Sequence, residues 1–316
     1  MASYIIRRIL VAIPLLLGIS IISFAIIHLA PGDPTSLLMD PHIKPSDRVA
    51  FIHAYGLDQP VYIQYFKWLW QMLQGNFGDS LIHQGVTVSS LILSRLPNTL
   101  LLMVVSALLA FIISIPFGIL SATRPYTITD YTVTTVSFLG IATPNFWIGL
   151  VLLMFFAVQH PIFPAGGVQT LNAPFSIWDR IHHLILPAFV LATADMAGLT
   201  RYSRSSMIEV LRQDYIRTAR AKGFRGSRVV YKHGLRNSLM PVITIIGLII
   251  PSFIGGAVVV ESIFNWPGIG LLFLDAAFQR DYPVIMALTM ISATLVVIGN
   301  LIADILYAIV DPRIEY

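Results

Sequence analysis

Four ionisable side chains stand in or beside long apolar stretches of this 316-residue chain: His28, Asp195, Glu261 and Asp304. A charge inside hydrocarbon is costly, so each is a candidate for a proton relay or for lining a polar path through a membrane. The plainer reading is structural. Asp304 lies about one turn from the end of its stretch, where it can snorkel or pair with a basic residue. His28 is similarly placed, and Asp195 has Thr193 and Thr200 close by on the same stretch. His182-His183, with His160 upstream, invites a metal reading, yet adjacent histidines point in different directions on a helix and no acidic cluster completes a set. Cysteine is absent, which removes disulfides, thiolate metal sites and cysteine nucleophiles. A phosphate-cradling loop ends in Gly-Lys-Ser/Thr. The only lysines are Lys44, Lys67, Lys222 and Lys232, and none follows Gly and precedes Ser or Thr. The chain therefore reads as no ATPase and no enzyme, with no metal or cofactor of its own. Energy for any work must come from another subunit or from an ion gradient.

These residues need a scaffold, and composition says which kind. Hydrophobic residues make up 56% of the chain and charged residues 11%, against roughly 25% charged in soluble proteins. That excludes a soluble enzyme and predicts an all-α integral membrane protein. About 20 apolar residues cross a bilayer as a helix, and six stretches qualify: Ile9–Ala30, Asn98–Leu120, Tyr131–Val158, Leu184–Thr200, Ser238–Val260 and Pro283–Ala308. Prolines at 14, 116, 144, 187, 241 and 251 fall within or beside them, which a membrane bundle tolerates better than a soluble helix. The first stretch is too long for a signal peptide and no small-residue cleavage site follows it, so it reads as a retained helix. With the N-terminus inside, 14 of the 20 Lys and Arg residues fall on the cytoplasmic side, and both termini are cytoplasmic. The expected organisation is residues 1–30 as N-terminus and first span, 31–97 outside, 98–308 as a five-helix core, and 309–316 as a cytoplasmic tail.

The outside segment opens with Pro31-Gly32-Asp33-Pro34, a sharp exit turn, and Val61–Gln74 spaces Tyr62, Tyr65, Phe66, Trp68 and Trp70 as an interfacial helix would. It is either a platform for a soluble partner or an aromatic anchor at the membrane surface. The inside segment 201–237 carries ten basic residues against Glu209 and Asp214, interleaved with Met207, Ile208, Val210, Leu211, Tyr215 and Ile216. A disordered basic tail would not carry those apolar residues. Asp214 is expected to cap a short helix over Tyr215–Lys222, with Gly223 as its left-handed stop and Arg220 and Lys222 in the last turn favouring the dipole. Ala219 and Ala221 would leave a slim surface for another protein. The alternative is contact with anionic lipid, or simple charge asymmetry. Within the fifth span, Gly255-Gly256 is expected to permit close helix packing and Pro251 to kink it.

The run Asp214-Tyr215-Ile216-Arg217-Thr218-Ala219-Arg220-Ala221-Lys222-Gly223 resembles the cytoplasmic loop signature of binding-protein-dependent ABC importer permeases, whose general form is Glu-Ala-Ala, three residues, then Gly. Arg217 and Thr218 depart from the general form in the way the dipeptide, oligopeptide and nickel branch does. The run His233-Gly234-Leu235-Arg236-Asn237-Ser238-Leu239-Met240-Pro241 is similar to the same branch. Tyr4-Ile5-Ile6-Arg7-Arg8, Ala30-Pro31-Gly32-Asp33-Pro34, Tyr55-Gly56-Leu57-Asp58-Gln59-Pro60 and Gly75-Asn76-Phe77-Gly78 resemble its B-type subunits. So do Ile263-Phe264-Asn265-Trp266-Pro267-Gly268, Arg280-Asp281-Tyr282-Pro283 and Asp311-Pro312-Arg313, and the likeness is greatest to App-type oligopeptide permeases. The resemblance implies a type I ABC importer in a bacterial plasma (inner) membrane. Its implied partners are a second permease subunit, two ATP-binding subunits carrying ATP and Mg, and an extracytoplasmic peptide-binding protein; no nucleic acid is involved. Asp214, Tyr215, Arg217, Thr218, Ala219, Arg220, Lys222 and Gly223 would then form the helix that couples to the ATPases, and Asp195, Glu261 and Asp304 would be path or structural residues. The alternatives are a permease for nickel or another small cargo in the same branch, and a proton-coupled secondary peptide transporter.

Overall fold

A computed structural model describes residues 2–29, 58–83, 85–239 and 257–310. Among these the secondary structure is helical apart from a single bridge between Asp79 and Thr87. In chain order the helices are α1 (Ala2–Leu29), α2 (Val61–Leu73), α3 (Val88–Thr123), α4 (Ile128–Ala142), α5 (Asn145–Leu153, running on as a π-helical turn, Met154–Gln159), α6 (Ile177–Leu211), α7 (Asp214–Ala221), α8 (Ile269–Gln279) and α9 (Tyr282–Val310). Residues 226–239, after α7, and 257–263, before α8, form further helical segments.

Four of these helices are long and apolar enough to cross a membrane: α1, α3, α6 and α9; α4 with α5 makes a fifth if taken as one span. The third expected span, Tyr131–Val158, is not a continuous helix. It breaks at Thr143-Pro144 and its two halves meet at 103°. Proline disfavours the helical conformation in the residue before it, and Thr143 is extended at φ −94°, ψ 125°. Pro144 also brings no N–H to the ladder. The fifth expected span, Ser238–Val260, lies mostly outside the described residues, with Pro251 and Gly255-Gly256. The exit turn at 31–34, the run Tyr55-Gly56-Leu57, Met240-Pro241 and the ending Asp311-Pro312-Arg313 lie outside them too.

The chain divides into two compact units. One comprises Met1–Ile5, Pro97–Leu271 and Leu295–Tyr316. Its core gathers Leu102, Leu184, Val190, Leu191, Phe264 and Trp266, with α6 packed along both α4 and α5. Helices there approach closely through small residues. A Cβ on Gly118 would stand 2.5 Å from Ser203 Cβ and 2.9 Å from the Thr200 carbonyl oxygen, so α3 and α6 meet almost backbone to backbone. One turn on, Arg204 of α6 donates from Nε to Asp130 Oδ1 (2.7 Å) and from Nη2 to Asp130 Oδ2 (2.8 Å). Ser121 of α3 donates to the same carboxylate, as does the Tyr126 amide at 2.9 Å. Three helices are thereby tied at one point. Asp130→Asn is expected to lose one charged, bidentate pair, about 1–2 kcal/mol, seen as a fall of about 2–8 °C in the melting midpoint of the purified protein. An unchanged midpoint would contradict it.

The other unit comprises Ile6–Leu96 and Leu272–Thr294. Phe24 of α1 stacks on His28 (ring centroids 4.0 Å) and meets Tyr65 edge-on at 5.4 Å, with Trp68 and Met286 alongside. The hydroxyls of Ser20 and Tyr65 are 2.9 Å apart. α2 therefore turns Tyr65 and Trp68 inward and leaves Tyr62, Phe66, Trp70 and Leu73 exposed. Asp281 is buried, and accepts from the Ser80 hydroxyl and, at 3.1 Å, from the Leu81 amide. Nothing in the spacing of Arg280-Asp281-Tyr282-Pro283 announces that role, because its donors lie some two hundred residues away.

Candidate functional site

The basic segment is built on the end of α6. That helix outlasts its apolar stretch and runs on to Leu211, then turns through Gln213 (ψ 151°) into the two turns of α7. Ile216 and Ala219 share one face of α7 at i, i+3 spacing. Both are buried, at 0% and 6% exposure, against Val229 and Leu211. The helix is thus held from behind by its own chain. Tyr215 adds a second tie, its hydroxyl accepting from Asn237 Nδ2 at 2.8 Å. Gly234 lets the π-helical turn Val229–Gly234 lie on α6: a Cβ there would meet Met207 Cε at 2.9 Å. The opposite face of α7 presents Asp214, Arg217 and Thr218, all exposed, while Arg220, four residues from Ile216, is exposed at the flank of the buried face.

Two details differ from the sequence reading. Asp214 is not the cap; Gln213 holds that position, without a side-chain capping bond, and Asp214 is the first helical residue. An acid there still favours the positive end of the helix, and it pairs at 3.4 Å with Arg217, three residues on. Both partners are almost fully solvated, so the pair contributes little. Second, Ala219 offers no outward surface, because its spacing from Ile216 places it on the inward face; Ala221 is exposed. The stop is as the sequence requires. Lys222 is the C-cap and Gly223 adopts φ +76°. The Gly223 amide donates to the Arg220 carbonyl (3.0 Å) and the Phe224 amide to the Ala219 carbonyl (3.4 Å), the paired bonds of a Schellman motif.

Of the intramembrane candidates, Asp195 is half-buried in α6 and Asp304 half-buried in α9, and each is engaged by a partner. Neither belongs to the cluster behind α7. Glu261 is far more constrained. It is fully buried, accepts from Thr99 Oγ1 at 2.6 Å, and accepts from the Gly270 and Leu271 amides at 2.7 and 3.0 Å. Thr99 in turn accepts from the Ile269 amide at 2.8 Å. These are the first N–H groups of α8, which no intrahelical carbonyl can reach, so Glu261 and Thr99 together cap that helix. A Cβ on Gly268 would collide with the Glu261 carboxylate. Trp266 Nε1 donates to the Asn98 carbonyl and Asn98 Nδ2 to that of Pro267, at 3.0 and 2.9 Å. The run Phe264-Asn265-Trp266-Pro267-Gly268 is therefore a bonded corner. His183 rests on its own helix, Nδ1 donating to the Asp179 carbonyl at 2.9 Å, and His182 lies against Phe163. Among the described residues no three His, Asp or Glu side chains gather as metal ligands do.

Comparison with known proteins places this arrangement. Residues 114–316 match the family described as binding-protein-dependent transport system inner membrane component, and residues 1–103 match its N-terminal region. The chain belongs to this family. As a binding-protein-dependent permease it is an integral protein of the bacterial inner membrane. It is 69% identical over 316 residues to the oligopeptide transport system permease protein AppB of Bacillus subtilis (strain 168), with 100% of each chain covered. It is 40% identical to the di/tripeptide transport system permease protein DppB of Pseudomonas aeruginosa (strain UCBPP-PA14) and 36% identical to the dipeptide transport system permease protein DppB of Escherichia coli (strain K12), each over 100% of this chain and 99% of the relative. A chain of the MetNI methionine ABC transporter, solved in inward-facing conformations, superposes with TM-score 0.56 at 17% identity, covering 70% of this permease and 96% of that chain. The fold is thus that of a type I ABC importer permease.

Proposed function

We propose that the chain is the membrane-spanning subunit of an ABC importer that carries peptides into the cell, and that α7 couples it to the ATPases. One observation carries the coupling role: a two-turn helix is clamped by its own chain through Ile216 and Ala219 while its polar, largely cationic face points outward. A helix fixed on one side can transmit a push received on the other without bending away. The outward residues Asp214, Arg217 and Thr218, with Lys222 and Gly223 at its stop, meet a partner groove; Tyr215 and Ala219 anchor the helix, and Arg220 stands at its flank. The peptide cargo follows the names of the full-length relatives. ATP and Mg belong to two separate ATP-binding subunits. A second permease subunit completes the path, an extracytoplasmic binding protein delivers the peptide, and both termini are cytoplasmic. Segment 31–97 lies outside, 98–308 forms the core around the coupling loop 201–237, and 309–316 is the tail. Glu261 is a structural residue; Asp195 and Asp304 are path or structural residues.

A gentle detergent pull-down from the native membrane tests the assembly. Two ATPase polypeptides, or two copies of one, and a second permease are expected to accompany the chain. A lone chain or homodimer stable across several mild detergents would overturn the reading. Uptake of a labelled oligopeptide is expected to be competed by unlabelled peptide and not by nickel; the reverse pattern would reassign the cargo.

A further inference from the structure

A cleft of about 550 Å³ opens beside α7, lined by Ala122, Tyr126, Arg204, Ile208, Arg212 and Arg220 among others. It begins where the apolar helix α3 ends at Thr123 and continues along the part of α6 beyond its apolar stretch. That is the level of lipid headgroups in a membrane-spanning chain. The walls are of two kinds. Ala122, Pro125, Ile208, Leu211 and Val230 give an apolar side, and three arginines give a cationic one. Arg204 is pre-set there: its Nε and Nη2 are committed to Asp130, and its Nη1 makes no hydrogen bond among the described residues. Asp130 offsets the charge of Arg204. Arg212 and Arg220 have no ion-pair partner among the described residues, so the cleft keeps the charge of both.

An amphipathic, doubly cationic cleft suits a ligand with a phosphate at one end and an acyl chain at the other, and basic pockets between transmembrane helices bind such headgroups. We infer that this cleft holds the phosphate of an anionic phospholipid, with Arg212 and Arg220 as its charge partners and Arg204 Nη1 as a fixed donor. Because Arg220 lies on α7, Arg204 on α6 and Arg212 at the C-cap of α6, the bound headgroup ties the short helix to the end of the long one. The site stands on the fold and the cleft alone, and its test is read without transport, so it can fail while the importer reading holds.

The test uses the full chain with whatever subunits accompany it, in nanodiscs of mixed phosphatidylglycerol and phosphatidylcholine, with retained lipid identified by native mass spectrometry. At about 1 kcal/mol for each arginine near the surface, retention of phosphatidylglycerol should exceed that of phosphatidylcholine by about 30-fold, with Arg212→Gln and Arg220→Gln each lowering the preference about 5-fold. The double variant should approach parity, and Arg212→Lys should keep most of the preference, which separates lost charge from lost folding. Parity in the unaltered protein, or an unchanged preference in a monodisperse double variant, would overturn the site. Displacement of the lipid by millimolar inorganic phosphate would overturn the lipid assignment in favour of a free anion.

Discussion

Glu261→Leu is expected to remove the permease from the membrane fraction almost entirely. The carboxylate is fully buried and receives the Thr99 hydroxyl and the amides of Gly270 and Leu271. Hydrogen bonds to a charged acceptor contribute about 1.5–3 kcal/mol each, and three together approach the whole stability of about 5–15 kcal/mol typical of a folded protein. Leucine is near enough in size to fill the space but accepts nothing, so the first turn of α8 would keep buried N–H groups without partners. Thr99→Val removes one donor to Glu261 and one acceptor for Ile269, and should be milder, costing about 1–3 kcal/mol. Quantitative blotting of membranes and fluorescence-detected size exclusion would read both. Monodisperse Glu261→Leu protein at the unaltered level would refute the capping role.

The second large effect is on uptake rather than abundance. Gly223→Trp should leave the chain folded and cut peptide import by about 10–30-fold, the loss expected when about 1.4–2 kcal/mol of docking energy goes. Beyond its chain neighbours no atom lies within 4 Å of where a Cβ would stand on Gly223, so a side chain has open space at its root. The backbone there sits at φ +76°, which costs a non-glycine residue roughly 1–2 kcal/mol, too little to unfold the protein. What the indole does occupy is the approach to the outward face of α7. Gly223→Asn is the control, since asparagine visits the left-handed region more readily than other residues and is small; it should import nearly normally. Normal uptake by Gly223→Trp at normal expression would remove α7 from the coupling role.

Much of this was legible in the residues because it depends on local composition. Apolar runs found α1, α3, α6 and α9, and the pairing of a two-turn basic helix with Gly223 found α7 and its stop. Three features escaped for distinct physical reasons. The break at Thr143-Pro144 is invisible to hydropathy, which counts side chains and ignores the missing N–H of proline. The small size of Ala219 suggests close approach by a partner, whereas its spacing from Ile216 decides its face. The tie among Ser121, Asp130 and Arg204 gave no signal, since its members lie at the margins of separate spans and Arg204 is 74 residues from its partner. Glu261 did stand out as an acid at the edge of an apolar stretch. Its job did not, because most of its donors are backbone amides that any residue would supply.

The cap on α8 also sets a clock on biosynthesis. Thr99 lies 162 residues before the carboxylate it serves, so the ribosome must add that much chain before the bond can form. At about 5–20 residues per second, the start of α3 waits roughly 8–32 s, already in the membrane, for its partner. A chain stopped short of Leu271 would carry an unfinished corner into the bilayer, with the Thr99 hydroxyl and Asn98 unbound and exposed as marks of an incomplete product. The corner therefore records that synthesis has passed Leu271, with α9 still to follow.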